Sequence, residues 1–262
     1  MKYNLIQAIE EGHHKLLTFG GAFSNHIAAT AYAGHNFGLK TIGIIRGEEL
    51  EKSWTQNPTL RLAAKYGMQF IFVDRATYRN RNTTAFIKSL EARFSPFYLI
   101  PEGGSNAMAI KGCEEILNQG DHDFDIIAAC VGTGGTLAGI INASKEKQEI
   151  LGFSVLKGDF LNADVRKFAN KTNWRLINTY HFGGYAKVSL ALIDFINQFK
   201  AATGIPLDPV YTGKLLFGIL DMVKNGKIKN HSKILAIHTG GLQGIVGMNE
   251  KLKSKKLPLI HL

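Results

Sequence analysis

Cysteine is scarce: the 262 residues hold two, Cys113 and Cys130, in apolar or helical surroundings and without the paired spacing of a zinc or redox site. They are read as buried free thiols. Long apolar runs are also lacking. Stretches such as 41-TIGII-45 and 126-IIAACV-131 fall far short of the roughly 20 residues that span a bilayer. The first residues carry no basic-then-apolar secretion pattern, so a cytoplasmic protein with no membrane role is expected. No fixed-period repeat or low-complexity linker occurs. The nine histidines form no metal-spaced pair with a carboxylate. His13 and His14 read as a solvated pair at a helix end, and no catalytic metal is expected. Acidic residues are outnumbered, giving a net charge of +10. The basic residues are nonetheless spread along the chain, apart from 251-KLKSKK-256, which reads as a solvated C-terminal tail. Nucleic acid is therefore not an expected partner.

What is present is a globular composition, 45% hydrophobic and 20% charged, arranged as alternating helices and short apolar strands. Leu5, Ile6 and Ile9 have helical spacing, Gly12 stops that helix, and the strand 16-LLTF-19 follows. Helix 25–37, strand 41–45, helix 58–66 and strand 69–73 continue the pattern, each helix closed by a glycine. A helix from about Asn82 to Phe94 leads to 97-FYLI-100 and the glycine-rich turn 101-PEGGSN-106. A second series has helix 108–117, strand 125–131, loop 132-GTGGT-136, strand 150–155, helices 187–202 and 212–225, strand 233–238 and a final helix. The stretch 157–173 fits neither period. Alternation of this kind predicts an α/β fold: two lobes, each an open, mostly parallel twisted sheet flanked by helices. The smaller lobe is placed at residues 13–95, and residues 1–12 and 96–262 form the larger one.

Two turns carry chemistry. Gly132 to Thr136 follow a buried-looking strand and open a helix, so backbone N–H groups and the helix dipole converge there on an anion such as phosphate. No Gly-Lys-Ser/Thr ending makes this a Walker loop. No acidic residue stands at dinucleotide spacing either, and Thr30 or Glu49 would have to serve a ribose. Packing alone also produces such glycine turns. The second turn is 20-GGAFSNH-26, where Ser24 caps the next helix and Asn25 offers an amide at its start. A capping role alone is the plainer alternative for Ser24. Because ligands of open α/β sheets bind beyond the carboxyl ends of strands, both turns are expected on one crevice.

These segments, 18-TFGGAFSNHIAATA-31, 41-TIGIIRGE-48, 101-PEGGSN-106, 132-GTGGTLAGI-140, 207-LDPVYTGK-214 and 237-IHTGG-241, occur in an order that resembles the fold-type-II pyridoxal-phosphate (PLP) enzymes. Within them the likeness is to the D-cysteine desulfhydrase and 1-aminocyclopropane-1-carboxylate deaminase family. The resemblance implies that Gly132, Thr133, Gly134, Gly135 and Thr136 hold the PLP phosphate and that Asn25 bonds the ring hydroxyl. It places Thr239 near the pyridine nitrogen, where a neutral hydroxyl leaves a weaker electron sink than a carboxylate would. Ser24, Asn25 and His26 would meet the substrate; Tyr185 and Tyr211, with Ser24, would be catalytic. Core packing is the alternative reading of both tyrosines and of His26. Thr212, where the deaminase branch has glutamate, favours the desulfhydrase-like branch. The implied activity is release of ammonia and a 2-oxo acid from a small amino acid by a homodimer.

The family's Schiff-base lysine lies in a GNKxRKLKYN-like stretch. Lys2 in 1-MKYNL-5 matches its last lysine, which puts the catalytic one upstream of Met1. The expectation is that an N-terminal segment is missing, through a misplaced start or a real truncation, and that the chain as written is inactive. Lys2, Lys111 and Lys187 do not stand at the matching position. The rival reading is a non-catalytic PLP-binding protein.

Overall fold

The computed structural model describes residues 1–261, which divide into two compact units, residues 1–109 and 110–261. The first unit contains α1 (Lys2–Glu10), β1 (Lys15–Gly21), α2 (Asn25–Asn36), β2 (Lys40–Arg46), α3 (Pro58–Lys65), β3 (Met68–Val73), α4 (Arg75–Arg79), α5 (Thr84–Phe94) and β4 (Tyr98–Ile100). Helix α6 (Ala107–Glu114) crosses the boundary. The second unit contains β5 (Ile126–Val131), α7 (Gly135–Ala143), β6 (Glu149–Ser154), α8 (Leu161–Arg166), β7 (Trp174–Ile177), α9 (Leu190–Thr203), α10 (Thr212–Lys224), β8 (Ile234–Ala236) and α11 (Gly244–Ser254).

Each unit is built on a four-stranded sheet, ordered β3-β2-β1-β4 in the first and β7-β6-β5-β8 in the second. Every pairing is parallel, as the helix-strand alternation predicts. Strand β5 shows why its residues read as a continuous apolar run: Ile126, Ala128 and Cys130 enter the core on one face, Ile127, Ala129 and Val131 the core on the other. In the first unit Leu17 and Phe19 pack with Ile42 and Ile44 on one face of the sheet, while Ile45 packs under Ile27 and Leu60 on the other.

Local chemistry sets the helix starts. Asn57 Oδ1 accepts from Leu60 N at 3.0 Å ahead of Pro58, Asp74 accepts from Ala76 and Thr77, and Ser189 accepts from Leu192 N. Helices α6 and α7 cross so closely that a Cβ at Gly139 would lie 2.3 Å from Cys113 Cβ and 2.9 Å from the Ile110 carbonyl oxygen. Gly139→Ala is therefore expected to cost about 1–3 kcal/mol through overpacking, read as a lowered urea midpoint. An unchanged midpoint would mean the two helices separate without cost.

Several expectations are corrected. The stretch 157–173 forms α8, a six-residue helix that buries Leu161 and Val165, and the four-residue strand β7 follows it. The basic cluster at 251–256 is no tail: it begins inside α11, where Leu252 is buried and the lysines around it are exposed. Cys130 is buried, Cys113 is half-buried, and both are free. His14 is exposed, but His13 is half-buried, faces Glu11 and packs edge-on against Tyr98. Among the described residues no helix is long and apolar enough to cross a membrane, and no group of three or more His, Cys, Asp or Glu side chains is placed to hold a metal ion.

Candidate functional site

In each sheet the chain reverses its direction of strand addition beside the first strand laid down. Strand β1 has β2 on one side and β4 on the other, and β5 has β6 and β8. The carboxyl ends of β1 and β4, and of β5 and β8, are therefore the switch points where an open α/β sheet leaves a crevice. Ser24, Asn25 and His26 follow the end of β1, Gly132 to Thr136 follow β5 and Thr239 lies beyond β8, whereas Tyr185 lies between β7 and α9 and Tyr211 at the start of α10.

In the first unit, β1 ends at Gly21 and the chain turns through Ser24, whose hydroxyl accepts from Ile27 N at 3.4 Å and caps α2. Asn25 and His26 are the first residues of that helix. Strand β4 ends at Ile100 and runs into the turn 101–106, in which Gly103 and Gly104 have φ of 67° and 70°. The two turns meet. A Cβ at Gly104 would lie 3.2 Å from His26 Cε1 and 3.3 Å from its Nδ1. His26 Nε2 is 2.7 Å from Thr18 Oγ1, and that hydroxyl donates to the Ile100 carbonyl at 2.8 Å. Burial of the imidazole holds its pKa down at about 4, so the ring is neutral at physiological pH. Around this site Tyr78 donates to Glu102 at 2.6 Å and Arg81 pairs with the same carboxylate at 2.6 Å. Asn106 bonds the buried Asn4 at 2.7 Å, which ties the turn to α1.

In the second unit, β5 feeds Gly132, Thr133 and Gly134, and α7 begins at Gly135. Gly134 is left-handed (φ 91°), no side chain caps the helix, and its first turn has no acidic residue. The N–H groups of that turn are thus presented to a ligand at the positive end of the dipole. Tyr211 stands beside the loop, its Oη 3.3 Å from where a Gly132 Cβ would be. Tyr185, 39% exposed, meets the Tyr211 ring edge-on at 6.2 Å. Burial, with the hydrogen bond to Tyr185 adding to it, raises the Tyr211 phenol far above its ordinary range. Thr239, beyond β8, places Oγ1 3.4 Å from Cys130 Sγ, a thiol that burial pushes up to about 12. The Thr136 hydroxyl engages Cys113, a thiol that burial raises.

Two residues inside 207-LDPVYTGK-214 that the sequence reading left without a role hold Tyr211 and Tyr185 in place. Asp208, 1% exposed, accepts at 2.8 Å from the backbone N–H of Val210, Tyr211 and Thr212 and from the Thr212 hydroxyl. Thr212 is fully buried against it and serves this turn. Lys214, also 1% exposed, donates to the carbonyls of His181 at 2.9 Å and Gly184 at 2.8 Å. It thereby clamps the loop that carries Tyr185.

Comparison with known proteins bears on the family and the fold. A family model described as "Pyridoxal-phosphate dependent enzyme" matches residues 2–240. A Thermotoga maritima protein, provisionally named a 1-aminocyclopropane-1-carboxylate deaminase, is 30% identical over 275 residues, covering 96% of this chain and 85% of its own. The bifunctional D-cysteine desulfhydrase/1-aminocyclopropane-1-carboxylate deaminase of Arabidopsis thaliana, a mitochondrial protein by its name, is 30% identical over 284 residues, covering 97% and 70%. A crystal structure of an ACC deaminase homologue superposes with a TM-score of 0.82 at 28% identity, covering 96% of this chain and 81% of the other. The loop at Gly132–Thr136 suits the phosphate of the family's cofactor, since α7 starts behind Gly134 with no side-chain cap and the glycines leave room that a Cβ at Gly134 or Gly132 would fill. With a family match over residues 2–240 and a relative 30% identical over nearly the whole chain, the chain belongs to the pyridoxal-phosphate dependent enzymes.

Proposed function

We propose that the enzyme built on this chain is a lyase or deaminase for small amino acids of the D-cysteine or 1-aminocyclopropane-1-carboxylate type. The observation that carries this reading is Tyr211: a phenol that burial keeps protonated, beside the phosphate loop and bonded to Tyr185. A phenol is protonated at neutral pH, and with its pKa raised further it has no anionic form from which to act as a base, so the role left to it is that of a donor. For D-cysteine it serves the departing sulfur as the Cα–H and Cβ–S bonds break, and water then replaces nitrogen to leave pyruvate, ammonia and sulfide. For the cyclopropane acid it serves the ring carbon released, and the products are 2-oxobutyrate and ammonia.

Bound here, pyridoxal phosphate supplies the sink for the electron pair left at Cα. By the family resemblance, Gly132, Thr133, Gly134, Gly135 and Thr136 would hold its phosphate, Asn25 would bond its ring hydroxyl, and Thr239 would serve its pyridine nitrogen as a neutral partner. Ser24 Oγ accepts from the helix backbone, so its hydroxyl proton is the part it offers to a substrate carboxylate, alongside the N–H groups opening α2. The lobe division at 13–95 against 1–12 with 96–262, and a cytoplasmic homodimer, belong to the same reading, with sedimentation as the check on the dimer.

The test is product release, with added cofactor, from the protein as its source organism makes it. Pyruvate with sulfide from D-cysteine, or 2-oxobutyrate from the cyclopropane acid, is expected. Cofactor binding without product from either substrate would overturn the reading in favour of a non-catalytic binder.

A further inference from the structure

The hydrogen-bond pattern around Thr18 determines which nitrogen of His26 carries its proton. A threonine hydroxyl has one hydrogen, and a backbone carbonyl oxygen only accepts. Thr18 Oγ1 lies 2.8 Å from the Ile100 carbonyl, so its single hydrogen is committed there. The same oxygen lies 2.7 Å from His26 Nε2. With the hydroxyl hydrogen already placed, that contact is a hydrogen bond only if Nε2 carries the proton and Thr18 accepts. Thr18 is fully buried in the middle of β1, where water cannot supply an alternative donor. Its two partners stand beside the turns that form the candidate site of this unit: Ile100 ends β4 just before the turn 101–106, and His26 lies in the first turn of α2.

We propose that Thr18 is a positioning residue that fixes His26 as the Nε2–H tautomer, so that the ring edge facing the 101–106 turn and a bound substrate carries the Nδ1 lone pair. The role in turnover rests on the function proposed above; the tautomer does not. His26 then accepts hydrogen bonds on that edge and donates none, which removes it as a donor to a substrate carboxylate and leaves that task to Ser24 and the α2 amides. The ring is neutral for an independent reason, its burial, and Gly104 lets the Nδ1–Cε1 edge approach the turn because no Cβ intervenes.

Histidine-selective ¹⁵N labelling and long-range ¹H–¹⁵N correlation spectra read the tautomer directly, with the His26 signals assigned by their loss in His26→Gln. The wild type is expected to show a protonated Nε2 and bare Nδ1 from pH 6 to 8. In Thr18→Val the acceptor is gone and the signals should move towards a mixture of tautomers; Thr18→Ser should restore them. A protonated Nδ1 or an imidazolium at pH 7 in the wild type overturns the proposal, and so does a tautomer unchanged in Thr18→Val. Should the valine variant fail to fold, the wild-type and serine spectra still decide it. The spectra need neither cofactor nor substrate, so a wrong tautomer would leave the proposed activity standing, and absence of activity would leave the tautomer result intact.

Discussion

Asp208→Ala is expected to destabilise the second unit by about 3–5 kcal/mol, the range for removing one partner from a buried, hydrogen-bonded charge. The carboxylate does the work of an N-cap for α10 from outside the helix. Three backbone N–H groups and one hydroxyl converge on it at 2.8 Å each, and the two donors of Thr212 are buried, where water is no substitute. Because one of those N–H groups belongs to Tyr211, the loss should also displace the phenol and lower turnover. Asp208→Asn keeps the shape but turns N–H towards N–H at one oxygen position, so an intermediate loss is expected. A change below about 1 kcal/mol for the alanine variant in urea unfolding would mean that the turn is held by something else.

Lys214 adds a pH dependence whose sign follows from burial. Removal from water lowers its pKa to about 8, with the Asp208 carboxylate pulling it back up, while an unfolded lysine titrates near 10.4. Below pH 8 the ammonium is charged in both states and the fold carries the full cost of burying it. Between about 8 and 10.4 the unfolded chain still binds the proton that the folded chain has released, so stability rises with pH. The neutral amine keeps two hydrogens, one for each of the two carbonyls it serves. The stability of the wild type relative to Lys214→Met should therefore increase between pH 7.5 and 9.5. A constant difference would mean that Lys214 is not desolvated.

The parallel sheets were legible because their signal is redundant. A strand buried on both faces reads as an apolar run, as in 126-IIAACV-131, and a glycine or a capping side chain marks the ends of the helices between. The position of the loop at Gly132–Thr136 was legible for the same reason, fixed by the strand before it and the helix after it. Short elements were not: β7 has four residues and α8 six, too few for a period to show. The positioning residues were also hidden. Thr18 reads as an ordinary strand threonine, and Asp208 and Lys214 as charges near a helix start. Their roles arise only when the turn folds back on itself, or when β4 comes to lie beside β1, and neither event leaves a spacing in the sequence. Position 212 shows the converse: its side chain is committed to Asp208 in the interior, so its identity bears on this turn as well as on the branch of the family.

Gly134→Ala is expected to weaken binding of pyridoxal phosphate by about 10- to 100-fold, and the size follows from the backbone. Gly134 has φ of 91°, and an added Cβ would lie 2.9 Å from Val165 Cγ2. Forcing an L-residue into such a conformation costs about 1–3 kcal/mol, and about 1.4 kcal/mol is a factor of ten in affinity. The strain is relieved if the loop moves, and moving the loop turns its N–H groups away from the phosphate. Pyridoxal, which has the ring and no phosphate, separates this from general damage: its affinity should be the same for both proteins. Gly204→Ala is the second control. It imposes a similar left-handed strain (φ 75°) with nothing within 4 Å of the new methyl group, at the end of α9, and should lower stability while leaving cofactor affinity unchanged. If Gly134→Ala binds pyridoxal phosphate as well as the wild type does, the phosphate is held elsewhere, and the roles given to Thr133, Gly135 and Thr136 fall with it.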